Sequence, residues 1–351
     1  MDQRRDDLAH WAVREIQALT GENLPAELSV VSGDASFRRY FRLHSKGGSE
    51  HDGEPVSWIC VDAPPDKEDN PKFIGIARRW ASEGVHVPAV LAENVTDGFM
   101  LLEDFGDRLL WPALHDGASQ DTVISLYQQA IDELLLIQAL DTSALPPYDE
   151  ALLCQENSLF SEWLCTRQLG LTLEQDEQRL LANVSELLVN AALAQPVVTV
   201  HRDYHSRNLM LCRGDRIGVI DFQDAVAGPL TYDLVSLLRD CYVRWPHQVV
   251  EELTRYYFDQ ATAQKLFGRG IAGGSYAEFV KAFDLMGMQR HLKAAGIFAR
   301  LNIRDGKSGY LADIPNTCVY LREVAGRYPE FSDFCQWLDD RFLPALEQEL
   351  S

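Results

Sequence analysis

The segment from Val197 to Ala225, VVTVHRDYHSRNLMLCRGDRIGVIDFQDA, constrains this chain more than any other. Two short β-type apolar runs, at 197–200 and 217–221, bracket a loop crowded with His201, Asp203, Asn208 and several arginines. Short apolar runs bounded by polar clusters read as buried strands, so the charged residues fall on a loop between strands. Asp203 and Asn208 are five residues apart, and Asp221 ends the second run thirteen residues after Asn208. Two oxygen donors and one further carboxylate can therefore converge. Phosphoryl transfer from a nucleotide needs that set: magnesium takes oxygen ligands and keeps its waters, and the acceptor hydroxyl must be oriented in line with the γ-phosphorus. In this division Asp203 orients and deprotonates the acceptor, while Asn208 and Asp221 hold Mg2+.

The surroundings of that segment differ on its two sides. LSVV and YFRL flank a small-residue loop and read as a hairpin, VSWICVDA as a third strand, and FIGIARRWASEG as a helix closing on Gly84. Two more strands follow in VHVPAVLAEN and GFMLLEDFGD. From residue 120 the period becomes helical, interrupted only by the runs at 197–200 and 217–221. The pattern predicts an α+β protein with a β-rich N-terminal lobe over 1–106 and a mostly helical C-terminal lobe over 107–351. The 351 residues suffice for both.

A net charge of -21 from acids spread along the chain opposes binding to DNA or RNA. The N-terminus places Leu8, Trp11, Ala12, Ile16 and Leu19 at helical spacing among charges, so it reads as an amphipathic helix and not a signal peptide. No uncharged apolar run is long enough to span a bilayer, and a cytoplasmic protein without membrane contact is expected. The seven cysteines lack any C-x-x-C pairing and read as reduced core thiols. RDGKSG carries the ending of a phosphate-binding G-x-x-x-x-G-K-S loop, but Leu301 stands where its first glycine belongs, so it is rejected.

The ordered pair HRDYHSRN and IDF resembles the catalytic and metal-binding loops of kinases. With SGDASFRRYFRL, DAPPDKEDNPKF, LLEDFGD, IDFQDAVAGPLTYDLVSLLRD and IFARLNIRDGKSGYLADIP, the chain resembles, nearly end to end, the aminoglycoside-phosphotransferase group of small-molecule kinases. Within that group it looks like the bacterial anomeric kinases of N-acetylmuramate and N-acetylglucosamine in cell-wall recycling. The resemblance implies a protein-kinase-like two-lobed fold, ATP and Mg2+ as cofactors, an amino sugar as small-molecule partner, and phosphorylation at C1. A monomer is expected.

The same resemblance implies that Ser32, Gly33, Asp34, Ala35 and Ser36 form the loop over the nucleotide phosphates, and that Glu103, Asp104 and Phe105 form the hinge beside the adenine. Arg202, His205, Arg207 and Asp224 flank the reacting centre as candidate sugar contacts. Asp233 reads as a cap or anchor of its turn. One departure stands out: the lysine that protein kinases carry in the third strand falls here at Val61 or Asp62, with Lys67 and Arg38 as the nearest substitutes. Two other readings follow. One is a kinase of another hydroxyl compound, such as an aminoglycoside, choline or homoserine; the other is a nucleotide-binding scaffold without catalysis.

Overall fold

A computed structural model describes every residue except 1, 34–36, 46–49, 52–53, 116, 213, 215, 268–274 and 351. The chain forms two compact units, residues 1–116 with 207–223 and residues 117–206 with 224–351. Residues 107–116 and 207–223 thus group with the N-terminal sheet, across the single cut expected at 106/107.

The first unit is built on a five-stranded antiparallel sheet whose spatial order is Ser29–Gly33, Arg39–His44, Ser57–Asp62, Phe99–Glu103, Val90–Asn94. Alternation along the strands sends Phe41, Leu43, Trp58, Cys60 and Leu101 to one face. There they meet Leu8, Trp11, Ala12 and Ile16 of the helix Gln3–Thr20. Burying each large apolar side chain stabilises by roughly 1.5–3 kcal/mol. Asp2 caps that helix by accepting the Arg5 N–H at 3.3 Å, and Gly21 ends it at φ +80°. A second helix, Asn70–Ser82, is capped by Asp69 and buries Phe73, Ile74, Ala77 and Trp80. Phe222 stacks on Phe73 at 5.0 Å and leans on Trp80 at 5.6 Å, so the aromatic residue of the IDF segment is a core residue of this unit.

Sequence reading missed the strand Leu209–Leu211, which pairs with Ile217–Val219. At three residues it is too short to show a period. The second run also ends at Val219, two residues short of Asp221, which lies beyond the strand at φ +67°. A Cβ at Gly218 would lie 2.6 Å from the Phe105 ring and 2.6 Å from Cys212 Sγ, so any larger residue would force those side chains to shift.

The second unit is helical around the 30-residue helix Tyr276–Asp305, opened by a Ser275/Glu278 capping box and closed by Gly306 at φ +66°. RDGKSG is therefore the end of a helix, with no strand leading into it. Phe160, Leu164, Leu188, Leu292, Phe334 and Phe342 belong to one of its apolar core clusters. Gly296 lets the long helix pass close to Leu159, whose carbonyl carbon would lie 2.4 Å from a Cβ. Val197–Val200 pairs antiparallel with Val226–Pro229, a second strand that sequence reading passed over because Gly228 and Pro229 look like a loop.

All seven cysteines are free, and five of them are buried. Among the described residues, no helix is long and apolar enough to cross a membrane.

Candidate active site

In the second unit the strand Val197–Val200 delivers the loop 201–206. Arg202 sits at φ +78°, a conformation that L-residues adopt at a cost. What holds it is Asp233, fully buried at the start of the helix Tyr232–Leu238: its carboxylate accepts the His201 N–H at 2.7 Å and the Arg202 N–H at 3.0 Å. Burial pushes the Asp233 carboxyl up to about 7 against the pull of those two N–H groups, and the Asp203 charge adds to the rise. Further along, the buried Tyr204 hydroxyl donates to the Ala130 carbonyl at 2.7 Å, and the Ser206 hydroxyl donates to Asp240 at 2.8 Å. Alternate residues are thus anchored inward, leaving Asp203 and His205 half-buried on the other side.

Asp203 stands in a positive surrounding. Removal from water alone would raise its carboxyl, but Lys293, His205, His201 and Arg290 together hold it below the usual aspartate range. It is a carboxylate at neutral pH. The nearby cations are themselves ordered by Glu156, which accepts from Arg202 Nη2 at 2.7 Å and Lys293 Nζ at 3.0 Å, and from the Tyr148 hydroxyl. Burial opposes the Glu156 charge, yet Lys293, Tyr148 and Arg202 pull its carboxyl below the ordinary value. Arg202 is accordingly engaged inside the unit, with its guanidinium also 5.6 Å from the Tyr148 ring. The His205 ring meets Tyr242 edge-on at 5.6 Å, and Asp224 is exposed.

In the first unit Asn208 and Asp221 come together. Asn208 Nδ2 donates to Asp221 Oδ2 at 3.3 Å, the Ile220 N–H donates to the Asn208 carbonyl at 3.1 Å, and Gln223 Nε2 donates to Asp221 Oδ1 at 2.7 Å. An amide oxygen and a carboxylate are hard donors of the kind that magnesium takes, alongside water and phosphate oxygens. Turning the Asn208 amide over would present Oδ1 beside Asp221, so the pair fits the ion. Arg207 lies over the Trp111 ring at 5.3 Å.

Ser32 and Gly33 end the first strand; Asp34, Ala35 and Ser36 lie outside the described residues. Just beyond that loop, Arg38 is buried, pairs with Glu68 at 3.1 Å and lies 5.2 Å from the Phe73 ring. Lys67 is half exposed and pairs with Asp66 at 3.5 Å. At the place of the expected lysine, Asp62 is fully buried and accepts from Arg4 Nε at 2.9 Å and Arg39 Nε at 3.0 Å. Arg39 lies directly opposite it in the ladder. Glu103 is exposed and its carboxylate accepts the Ala89 N–H at 3.2 Å. Asp104 is bound by Arg42 Nε at 2.6 Å, Ser57 Oγ at 2.6 Å and the Gly106 N–H at 2.8 Å. Burial works against that carboxyl, but these partners hold it below its usual range. Phe105 packs on His86 at 4.6 Å.

Sequence reasoning missed Glu156, Arg290, Lys293 and Glu68. A signal for two of them exists in QRHLK, residues 289–293, where polar and charged residues interrupt a long helix that is apolar on either side.

A profile described as Phosphotransferase enzyme family matches residues 27–267. The chain is 43% identical over 320 residues to the N-acetylmuramate/N-acetylglucosamine kinase of Pseudomonas aeruginosa, covering 91% of this chain and 89% of that one. It is 39% identical to the protein of that name from Neisseria meningitidis, covering 94% and 93%. Among solved structures, a choline/ethanolamine kinase family protein from Mesorhizobium loti superposes with a TM-score of 0.59 at 15% identity, over 98% of this chain and 99% of that chain. An ADP-bound aminoglycoside phosphotransferase does so with a TM-score of 0.54 at 15% identity, over 89% and 97%. Profile, relatives and fold agree: this chain belongs to the phosphotransferase enzyme family.

Proposed function

We propose that the protein transfers the γ-phosphoryl group of ATP to the C1 hydroxyl of N-acetylmuramate and N-acetylglucosamine. The 43% identity across 91% of the chain to a kinase named for those two sugars carries the choice of acceptor. The ADP-bound phosphotransferase of the same fold supports a nucleotide donor.

Asp203 accepts a hydrogen bond from the acceptor hydroxyl and takes its proton as the bond to phosphorus forms. Its depressed pKa makes it a weak base, which suits a loose transition state in which orientation matters more than early proton removal. An anomeric hydroxyl is also more acidic than an ordinary alcohol. Asn208 and Asp221 would hold Mg2+, which when bound would neutralise charge on the nucleotide phosphates. Ser32 to Ser36 cover those phosphates, and Arg38, kept in place by Glu68, supplies the cation missing from the third strand. The Asp104 carboxylate and the Phe105 ring are engaged within their own unit, so recognition of a base at 103–105 falls to backbone N–H and C=O groups.

The test is ADP release by purified protein with ATP and Mg2+ against N-acetylmuramate, N-acetylglucosamine, glucose, kanamycin and choline. Turnover of the two N-acetyl sugars, with an acid-labile 1-phosphate as product, is the expected result. Turnover of kanamycin or choline alone would move the acceptor and refute the proposal.

A further inference from the structure

Four arginine and lysine side chains are buried among the described residues: Arg38, Arg239, Arg290 and Lys293. Three have a carboxylate partner, Arg38 with Glu68, Arg239 with Asp284 and Lys293 with Glu156. Arg290 is the exception. It is 7% exposed, its Nε has no hydrogen-bond partner, and the one bond its guanidinium makes runs from Nη1 to the Cys241 sulfur at 3.7 Å. Asp240 and Asp203 are the carboxylates that act on it most strongly. Asp240 is already taken by the Ser206 hydroxyl and the Tyr242 N–H.

A guanidinium removed from water without a carboxylate hydrogen-bonded to it is costly, and such groups are normally paired directly. Arg290 is one residue from Gln289, whose Oε1 is also buried without a partner, and three residues from Lys293, the principal cation acting on Asp203. Arg290 thus brings an unspent planar donor to the helix that conditions Asp203.

We infer that Arg290 receives the lactyl carboxylate of N-acetylmuramate and so sets the preference between the two acceptor sugars. The inference rests on the acceptors assigned above. N-acetylglucosamine has a hydroxyl where N-acetylmuramate carries the lactyl ether, so only one of the two brings a carboxylate. The guanidinium fork matches a carboxylate in two parallel N–H to oxygen bonds, which a lysine ammonium does not reproduce. This role differs from the one expected for Arg202, which Glu156 already occupies.

The experiment compares kcat/KM for both sugars in the wild-type protein, R290M and R290K, with thermal melts to establish folding. Loss of charge-assisted hydrogen bonds should lower the N-acetylmuramate to N-acetylglucosamine ratio in R290M by roughly tenfold to a hundredfold, chiefly through KM, with R290K in between. If R290M does not fold, the same drop in R290K carries the inference. A wild-type ratio in a folded variant, whether both activities survive or fall together, overturns it. Wild-type protein that turns over neither sugar overturns the acceptor assignment first, and this inference with it.

Discussion

Asp233 reaches back 32 residues along the chain to accept the backbone N–H of His201 at 2.7 Å. With the Arg202 N–H at 3.0 Å, one fully buried carboxylate satisfies two donors of a strained turn and holds it in place. A carboxyl raised from 3.8 to about 7 on folding favours the folded state while it is protonated. That contribution is complete below about pH 4 and is lost as pH rises through 7, with a slope of at most about 1.4 kcal/mol per pH unit. Asp233→Asn removes the titration. The melting temperature of the wild type relative to D233N should therefore be highest at or below about pH 4, fall as pH rises to about 7 and level off above it; a constant difference across that range would contradict the assignment. Asp233→Ala, which leaves both donors buried and unpaired, should cost about 2–5 kcal/mol in denaturant unfolding.

Asp203→Asn should lower kcat by roughly 10²- to 10⁴-fold while leaving ATP binding near the wild-type value, as read by turnover and by calorimetry. Because Lys293 is the principal group holding the Asp203 carboxyl down, Lys293→Met should raise it. The acidic limb of the kcat/KM profile should then move upward, so that K293M loses proportionally more activity at pH 5 than at pH 8. A parallel loss at both values would mean that Lys293 acts through structure alone.

Removal of Mg2+ with EDTA should abolish turnover. Asn208→Ala and Asp221→Asn should each raise the Mg2+ concentration needed for half-maximal rate, D221N more than N208A because it removes the charged donor. The titration of rate against Mg2+ decides this, and unchanged midpoints in both variants would exclude the pair as ligands.

Arg38→Met should raise KM for ATP by roughly tenfold or more, since a hydrogen bond to a charged group contributes about 1.5–3 kcal/mol. Lys67→Met, at an exposed side chain, should leave it unchanged. The reverse order of effects would transfer the role to Lys67.

The proposed set Asp203, Asn208 and Asp221 could be picked out because all three lie within nineteen consecutive residues, where local apolar runs show which groups share a loop. The sheet was legible for a similar reason, since its strands are long enough to display alternation. Lys293 and Arg290 were not, because a charged stretch in a helix ordinarily marks a solvated face. Only the packing of Tyr276–Asp305 as the central helix turns those side chains inward. Likewise the missing lysine could be noticed at Asp62, but not that Arg4, 58 residues away, would neutralise it. The strands Leu209–Leu211 and Val226–Pro229 were too short or too rich in glycine and proline to carry a period.

The passage of residues 207–223 into the first unit has a consequence for how the protein is made. A ribosome finishes residue 116 about 5–20 s before it reaches residue 207, at ordinary rates of synthesis. During that interval the nascent N-terminal unit lacks the ladder Leu209–Leu211 and Ile217–Val219, and Phe73 and Trp80 lack the Phe222 ring that stacks on them. The first part of the chain to emerge therefore waits for residues made after the 90 residues 117–206 of the second unit before its ladder and its aromatic cluster are complete.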